Sequence, residues 1–168
     1  RVMQMFDDMK KHIDTRDDGQ LAEYLNALVD GKAFDGAGLI YGIGHAVYSI
    51  SDPRAKIFKE FVEKLSYEKG LHEEYELYTR VEKLAPEIIG KKRKIYKGVS
   101  ANVDFYSGFA YRLLNIPVEL YTPIFAIARM AGWSAHRMEE LVNAGKIIRP
   151  AYASVSERRS YVPLKERK

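Results

Sequence analysis

The sequence predicts an all-α fold, and three observations carry that reading. Apolar residues recur at three- and four-residue spacing along most of the 168 positions. No run of alternating apolar and polar residues, internal repeat or low-complexity tract breaks that pattern. Helix punctuation also sits where the pattern needs it: Asp52-Pro53 and Asn102 at starts, Gly70 at a stop.

Val2, Met5, Phe6, Met9 and Ile13 place one apolar face on a first helix over 2–14. DTRDDG stops it, and Asp18 is the expected cap of a second helix carrying Leu21, Leu25, Leu28 and Val29. Residues 31–51 read as irregular, with four glycines between 36 and 44 and room for a short hairpin around 39–50. Pro53 then opens a helix whose expected buried face is Ile57, Phe58, Phe61, Val62 and Leu65. Tyr75, Tyr78, Val81 and Leu84 predict another helix over 71–85, ended by Pro86, and KKRKIYKGVSA is expected to be a basic loop. From Asn102 a helix turns Tyr106, Phe109, Ala110 and Leu113 inward, with Pro117 closing it. PIFAIARMAGWSAHRMEELVNAG reads as a long last helix, with Trp133 in the core or at a subunit interface. The segment IIRPAYASV is expected to be extended and the last ten residues loose.

Composition narrows the function classes. With 46% hydrophobic and 30% charged residues, the chain can bury a core, and its longest apolar runs are far too short to cross a bilayer. The absence of cysteine removes disulfides, thiol nucleophiles and Cys-ligated zinc, and a cytoplasmic location is the expectation. Charge is uneven: residues 1–90 carry 12 basic and 17 acidic residues, and residues 91–168 carry 15 and 6. A basic second half suits an anionic partner, or a solvated basic tail (ERRSYVPLKERK). Arg1 stands where a natural chain has Met, directly before a strong amphipathic pattern, so a piece of a longer protein is expected.

Several motifs fall short. GLIYGIGH lacks the third glycine of the dinucleotide fingerprint, HEEYE lacks the second histidine of a zinc motif, and the KKRK run has no recognition-helix or aromatic-strand companion. Neither a metal site nor nucleic-acid binding is expected. His12, His72 and His136 lie on charged helical faces. What remains is a constellation: His45, Arg54, Asp104, Arg129 and Arg149. Arg129 lies inside the apolar IFAIARMAGW, where a buried charge must find a partner or cost several kcal/mol.

Two stretches go beyond composition. GIGHAVYSISDPRA resembles the GxGHxVY…DPR segment of citrate synthases. SANVDFYSGFAYRLLNIPVELYTPIFAIARMAGWSAHRMEE…IIRPAY resembles their NVDFYSG…AIxRxxGWxAH…RP segment, in the same order and spacing, and is most similar to bacterial members.

The resemblance implies a nearly all-helical homodimer that condenses acetyl-CoA with oxaloacetate to citrate and CoA, with no permanently bound cofactor. It implies that residues 1–117 are the small domain and 118–168 a closing stretch that belongs with the large domain. By motif, His45 would polarise the oxaloacetate carbonyl and Asp104 would take the methyl proton of acetyl-CoA. Arg54 and Arg129 would hold carboxylates, and Arg149 would reach the neighbouring subunit's site. Leu39, Ile40, Tyr41, Gly42, Ile43 and Gly44 would offer backbone to the CoA adenine, and Lys97 a phosphate contact. The chemistry suits these types: a carbon acid needs a positioned carboxylate, a ketone oxygen needs a donor, and carboxylates fit planar guanidinium groups.

The chain also departs from the family. Its other catalytic histidine, in a GxxHG-type loop, lies before the segment matching Val2, so the bare chain is expected to turn over little. Ala46 and Ser49 stand where many members have basic residues. Two alternatives remain: a 2-methylcitrate synthase using propionyl-CoA, or a non-catalytic domain that binds CoA or carboxylates or packs on a partner.

Overall fold

Among the described residues six helices follow one another: α1 (Val2–His12), α2 (Asp18–Val29), α3 (Pro53–Glu68), α4 (His72–Arg93), α5 (Val103–Leu113) and α6 (Tyr121–Val142). They are seen in a computed structural model that describes residues 1–95, 98–143, 160 and 162–166. Single 3-10 turns lie at Val118–Leu120 and Leu164–Glu166. The chain divides into two compact units, Arg1–Phe125 and Ala126–Lys168. The all-α expectation holds. No helix among the described residues is long and apolar enough to cross a membrane.

The first unit is built on an aromatic stack. Phe6 of α1 lies face to face with Tyr78 of α4 at 3.7 Å, and Tyr78 stacks in turn on Phe109 of α5 at 4.8 Å. Phe105 closes the group edge-on to Phe6 and Tyr78. Such rings bury the largest apolar areas of any side chains, and offset or edge contacts add about 0.5–1.5 kcal/mol per pair. Burial holds the Tyr78 phenol well above its ordinary range. Glu82 of α4 accepts from the Tyr106 hydroxyl (2.7 Å) and pairs with Lys59 of α3 (2.6 Å), joining α3, α4 and α5 by one carboxylate.

The inward faces expected for α1, α2 and α5 are the observed ones, from Val2, Met5, Phe6 and Met9 to Tyr106, Phe109, Ala110 and Leu113. Four local expectations change. The cap of α2 is Asp17, whose extended backbone lets its side chain accept from Gly19 and Gln20 N–H, so Asp18 is already helical. On α3, Ile57 and Phe61 are exposed. Five apolar residues there cover more than one face, and the small Ala55 and Ser66 take the close-packed side with Val62. The expected hairpin is replaced by an isolated antiparallel bridge between Ile43 and Ala101.

The fourth change is at Pro86, which lies inside α4. Proline removes one helical hydrogen bond. Continuing the helix buries Ala85 and Ile89 and carries Lys91, Lys92 and Arg93 to its C-terminus, where cations are favoured. The basic run is therefore the last turn of a helix. Lys91 pairs with Glu87, Lys92 with Asp30 just past the end of α2, and Arg93 donates to the Gly38 carbonyl. Lys94, in the left-handed region at φ 51°, ends it.

In the second unit no side chain of α6 is buried. Trp133 is 55% exposed and so is no core residue of this unit.

One buried carboxylate organises the first unit's loops. Asp52 caps α3 by accepting from the Arg54 N–H (2.9 Å), and its other oxygen accepts from the Val103 N–H (3.1 Å) that opens α5. It also binds the Arg54 side chain through Nε (3.0 Å) and Nη2 (2.8 Å). Asn102 caps α5 and donates to the Gly44 carbonyl (2.9 Å), and its own N–H donates to Gly42 (2.8 Å). Gly42 has φ 84°, and a Cβ there would stand 2.8 Å from Phe105 Cδ2 and 2.9 Å from its Cα.

Those hydrogen bonds, chiefly the one from Arg54, hold the Asp52 carboxyl below the usual carboxylate range. A depressed folded-state value stabilises above the unfolded value near 3.9, and that stability is lost as pH falls through the folded value. Asp52→Asn is expected to cost about 1–3 kcal/mol at pH 7 by urea unfolding, with the deficit shrinking below about pH 4. A deficit constant across pH 2–7 would contradict it. Gly42→Ala is expected to destabilise the chain by about 1–3 kcal/mol in the same assay, since Phe105 Cα cannot yield. An unchanged midpoint would refute the close approach.

Candidate active site

His45 follows two left-handed glycines, Gly42 and Gly44 at φ 84° and 106°, which turn the loop back on itself. The Val47 and Tyr48 N–H groups both donate to its Nδ1, at 2.9 and 3.0 Å. A neutral imidazole with two donors on Nδ1 must carry its proton on Nε2. That Nε2 stands 3.2 Å from Arg54 Nη2 and 3.7 Å from Asp52 Oδ2, the latter too long for a hydrogen bond. Two N–H donors thus converge, and the described acceptor nearest to both, Asp52 Oδ2, bonds Arg54 but stands too far from His45 to bond it. An oxygen of a bound anion or carbonyl would satisfy both.

Arg54 is half exposed and held on one edge by the fully buried Asp52 carboxylate. That bonded carboxylate holds its guanidinium above the ordinary range against partial desolvation, with smaller help from Tyr48 and Asp104. Its Nη1 donates to no described residue and can meet a second carboxylate, a geometry in which Arg surpasses Lys.

Asp104 is the second residue of α5, exposed, with its N–H bonded to the Asn102 cap (3.0 Å). The helix dipole favours a carboxylate there. Asp104 also rims a cleft of about 580 Å³ walled by Tyr41, Ser107, Gly108, Tyr111, Tyr121 and Phe125. Tyr111 packs edge-on to Tyr121 and Phe125.

The Leu39–Gly44 loop forms one side of a smaller cleft of about 150 Å³, opposite Ile89, Arg93 and Val99. Its last residues are already engaged: the Gly44 N–H donates to Ser100 (2.7 Å), and the Gly42 and Gly44 carbonyls accept from Asn102. The N–H groups of Leu39, Ile40, Tyr41 and Gly42 donate to no described residue. Backbone offered to a ligand is therefore the first half of the loop.

Arg54 and Asp104 thus stand at the starts of α3 and α5, with His45 in the loop against Arg54. Arg129 belongs to the second unit and is exposed on α6, so it carries no cost of a buried charge. Arg149 and Lys97 lie outside the described residues. Two residues that matter here were not singled out from the sequence as site residues. Asp52 read only as a cap, and Asn102 likewise. The Asp-Pro-Arg spacing was the available signal, because a capping carboxylate with an arginine two residues on can bind its side chain as well.

Comparison with known proteins gives one consistent result. Residues 1–151 match the family described as citrate synthase, C-terminal domain. The citrate synthase of Synechocystis is 46% identical over 129 residues, covering 76% of this chain and 31% of that protein. The 2-methylcitrate synthase of Shewanella oneidensis is 36% identical over 168 residues, covering 99% of this chain and 39% of that protein. Among solved structures, citrate synthase of Thermoplasma acidophilum, in ternary complex with carboxymethyl coenzyme A and oxaloacetate, aligns with TM-score 0.66 at 34% identity. That alignment covers 99% of this chain and 40% of that one. The chain spans about a third of the length of the curated relatives it matches. Fold, motif order and the matched 151 residues agree, and the chain belongs to the citrate synthase family.

Proposed function

We propose that this chain is the small-domain and C-terminal part, divided near residue 117, of an enzyme that condenses acetyl-CoA with oxaloacetate to citrate and CoA. The observation that carries the reading is the approach of His45 Nε2 and the Arg54 guanidinium to 3.2 Å, at helix starts tied together through Asp52, with Asp104 in the first turn of α5. A charged donor fixed by Asp52 and a neutral donor fixed by backbone suit the carboxylate and ketone of a 2-oxo diacid. A carboxylate base at a helix N-terminus suits proton removal from a thioester's α-carbon.

In that reading Asp104 takes a proton from the methyl carbon of acetyl-CoA. The electron pair left on that carbon forms the new bond to the ketone carbon of oxaloacetate. The ketone oxygen takes up the pair of its double bond and a proton, and the His45 N–H stabilises the charge as it develops. Water then cleaves the thioester, giving citrate and free CoA. Arg54 binds one carboxylate, with Arg129 and, from the neighbouring subunit of a homodimer, Arg149 as its partners. The free N–H groups of Leu39–Gly42 meet the adenine of CoA, and Lys97 a phosphate.

The full-length protein is expected to release CoA from acetyl-CoA only when oxaloacetate is present, followed by thiol titration. Asp104→Ala should lower kcat about 10²–10⁴-fold. Arg54→Lys should act mainly on the KM for oxaloacetate, because lysine lacks the planar fork. Equal CoA release with and without oxaloacetate, or full activity in Asp104→Ala, would overturn the assignment.

A further inference from the structure

The turn that carries His45 runs over residues 45–51, and none of these is buried. It contributes nothing to the hydrophobic core. Its internal order comes from the Val47 and Tyr48 N–H groups on His45 Nδ1. Outside itself, the turn rests on the segment 98–101. The Gly44 N–H donates to the Ser100 carbonyl (2.7 Å), and Ile43 forms its bridge with Ala101. Ser100 Oγ lies 3.4 Å from the Tyr48 carbonyl oxygen.

Gly98 lets these two backbones meet closely. A Cβ there would stand 2.4 Å from the Ser49 carbonyl oxygen and 3.3 Å from its carbon. Gly98 is not in the left-handed region, so its φ does not call for glycine. The opposing atoms are backbone and cannot rotate aside as a side chain would. With a Cβ present, the two segments must part by about 1 Å to regain ordinary contact. Segment 98–101 is anchored by the buried Ser100 and Ala101, and Asn102 after it caps α5. The exposed turn therefore takes the movement, and Ser49 directly follows Tyr48, whose N–H holds the imidazole.

We propose that Gly98 is a positioning residue for His45. Its missing Cβ seats the Ser49 backbone, which sets where the Tyr48 N–H meets Nδ1 and so where Nε2 aims. The inference rests on the proposed condensation and adds to it the residue that aligns its neutral donor. Arg54 does not depend on this contact, because Asp52 holds it through Nε and Nη2. The two donors of the site are thus set by separate devices.

The test places Gly98→Ala in the full-length protein, with Gly90→Ala as its control. Gly90 lies in α4, where a Cβ would meet only the Ile95 carbonyl oxygen at 3.7 Å, an ordinary contact. Gly98→Ala is expected to lower kcat with acetyl-CoA and oxaloacetate about 10–100-fold, the scale that a misplacement of about 1 Å commands. The KM for oxaloacetate should stay within about threefold of wild type, since Arg54 is undisturbed. Nitrogen-15 NMR should show His45 pass from the Nε2-protonated form to a mixture of both tautomers, its resonances assigned by their loss in His45→Gln. The helical circular dichroism should not change, because the turn buries nothing. An unchanged kcat or tautomer, a KM that rises as kcat falls, lost helical signal, or equal changes in Gly90→Ala overturns the positioning role. No turnover by the wild type overturns the condensation alone, and the tautomer in Gly98→Ala then decides the positioning role by itself.

Discussion

The arrangement depends on one carboxylate. Asp52 is fully buried, and its two oxygens accept from the Arg54 N–H, Nε and Nη2 and from the Val103 N–H. Two helix starts 51 residues apart in sequence are thereby fixed to one group. Arg54 stands two residues after it, Asp104 follows Val103, and His45 Nε2 lies 3.7 Å away. A buried ion costs several kcal/mol in desolvation, which only good geometry and full hydrogen bonding offset. Asp52 has both, and its placement positions each candidate reacting group.

The glycine loop supplies the second half of that order. Its carbonyls at 42 and 44 are tied to Asn102, the residue that caps α5. The loop carrying His45 and the helix carrying Asp104 are therefore parts of one hydrogen-bonded corner. Beneath it the Phe6–Tyr78–Phe109 stack and the Glu82 carboxylate hold α1, α3, α4 and α5 together. A site built on helix ends over a packed core keeps its donors in place before any substrate arrives.

Much of this was legible in the sequence because it is local. Asp52-Pro53 and Asn102 start helices through contacts two residues away, and the inward faces of α1 and α5 follow from spacing alone. Pro86 misled because a local penalty is outweighed by the burial of Ala85 and Ile89. Ile57 and Phe61 misled because α3 carries more apolar residues than one face can bury. In the site, His45, Arg54 and Asp104 were marked by motif. The bond from Asp52 to Val103 was not legible, since nothing local announces a partner 51 residues away.

The central claim is that backbone donors commit His45 to present its proton through Nε2, on the side where the Arg54 guanidinium stands. Nitrogen-15 NMR of the imidazole reads that tautomer directly at neutral to mildly alkaline pH. The account predicts an unprotonated Nδ1 and a proton on Nε2. A ring protonated on Nδ1 would contradict it, because Val47 and Tyr48 could not then donate there.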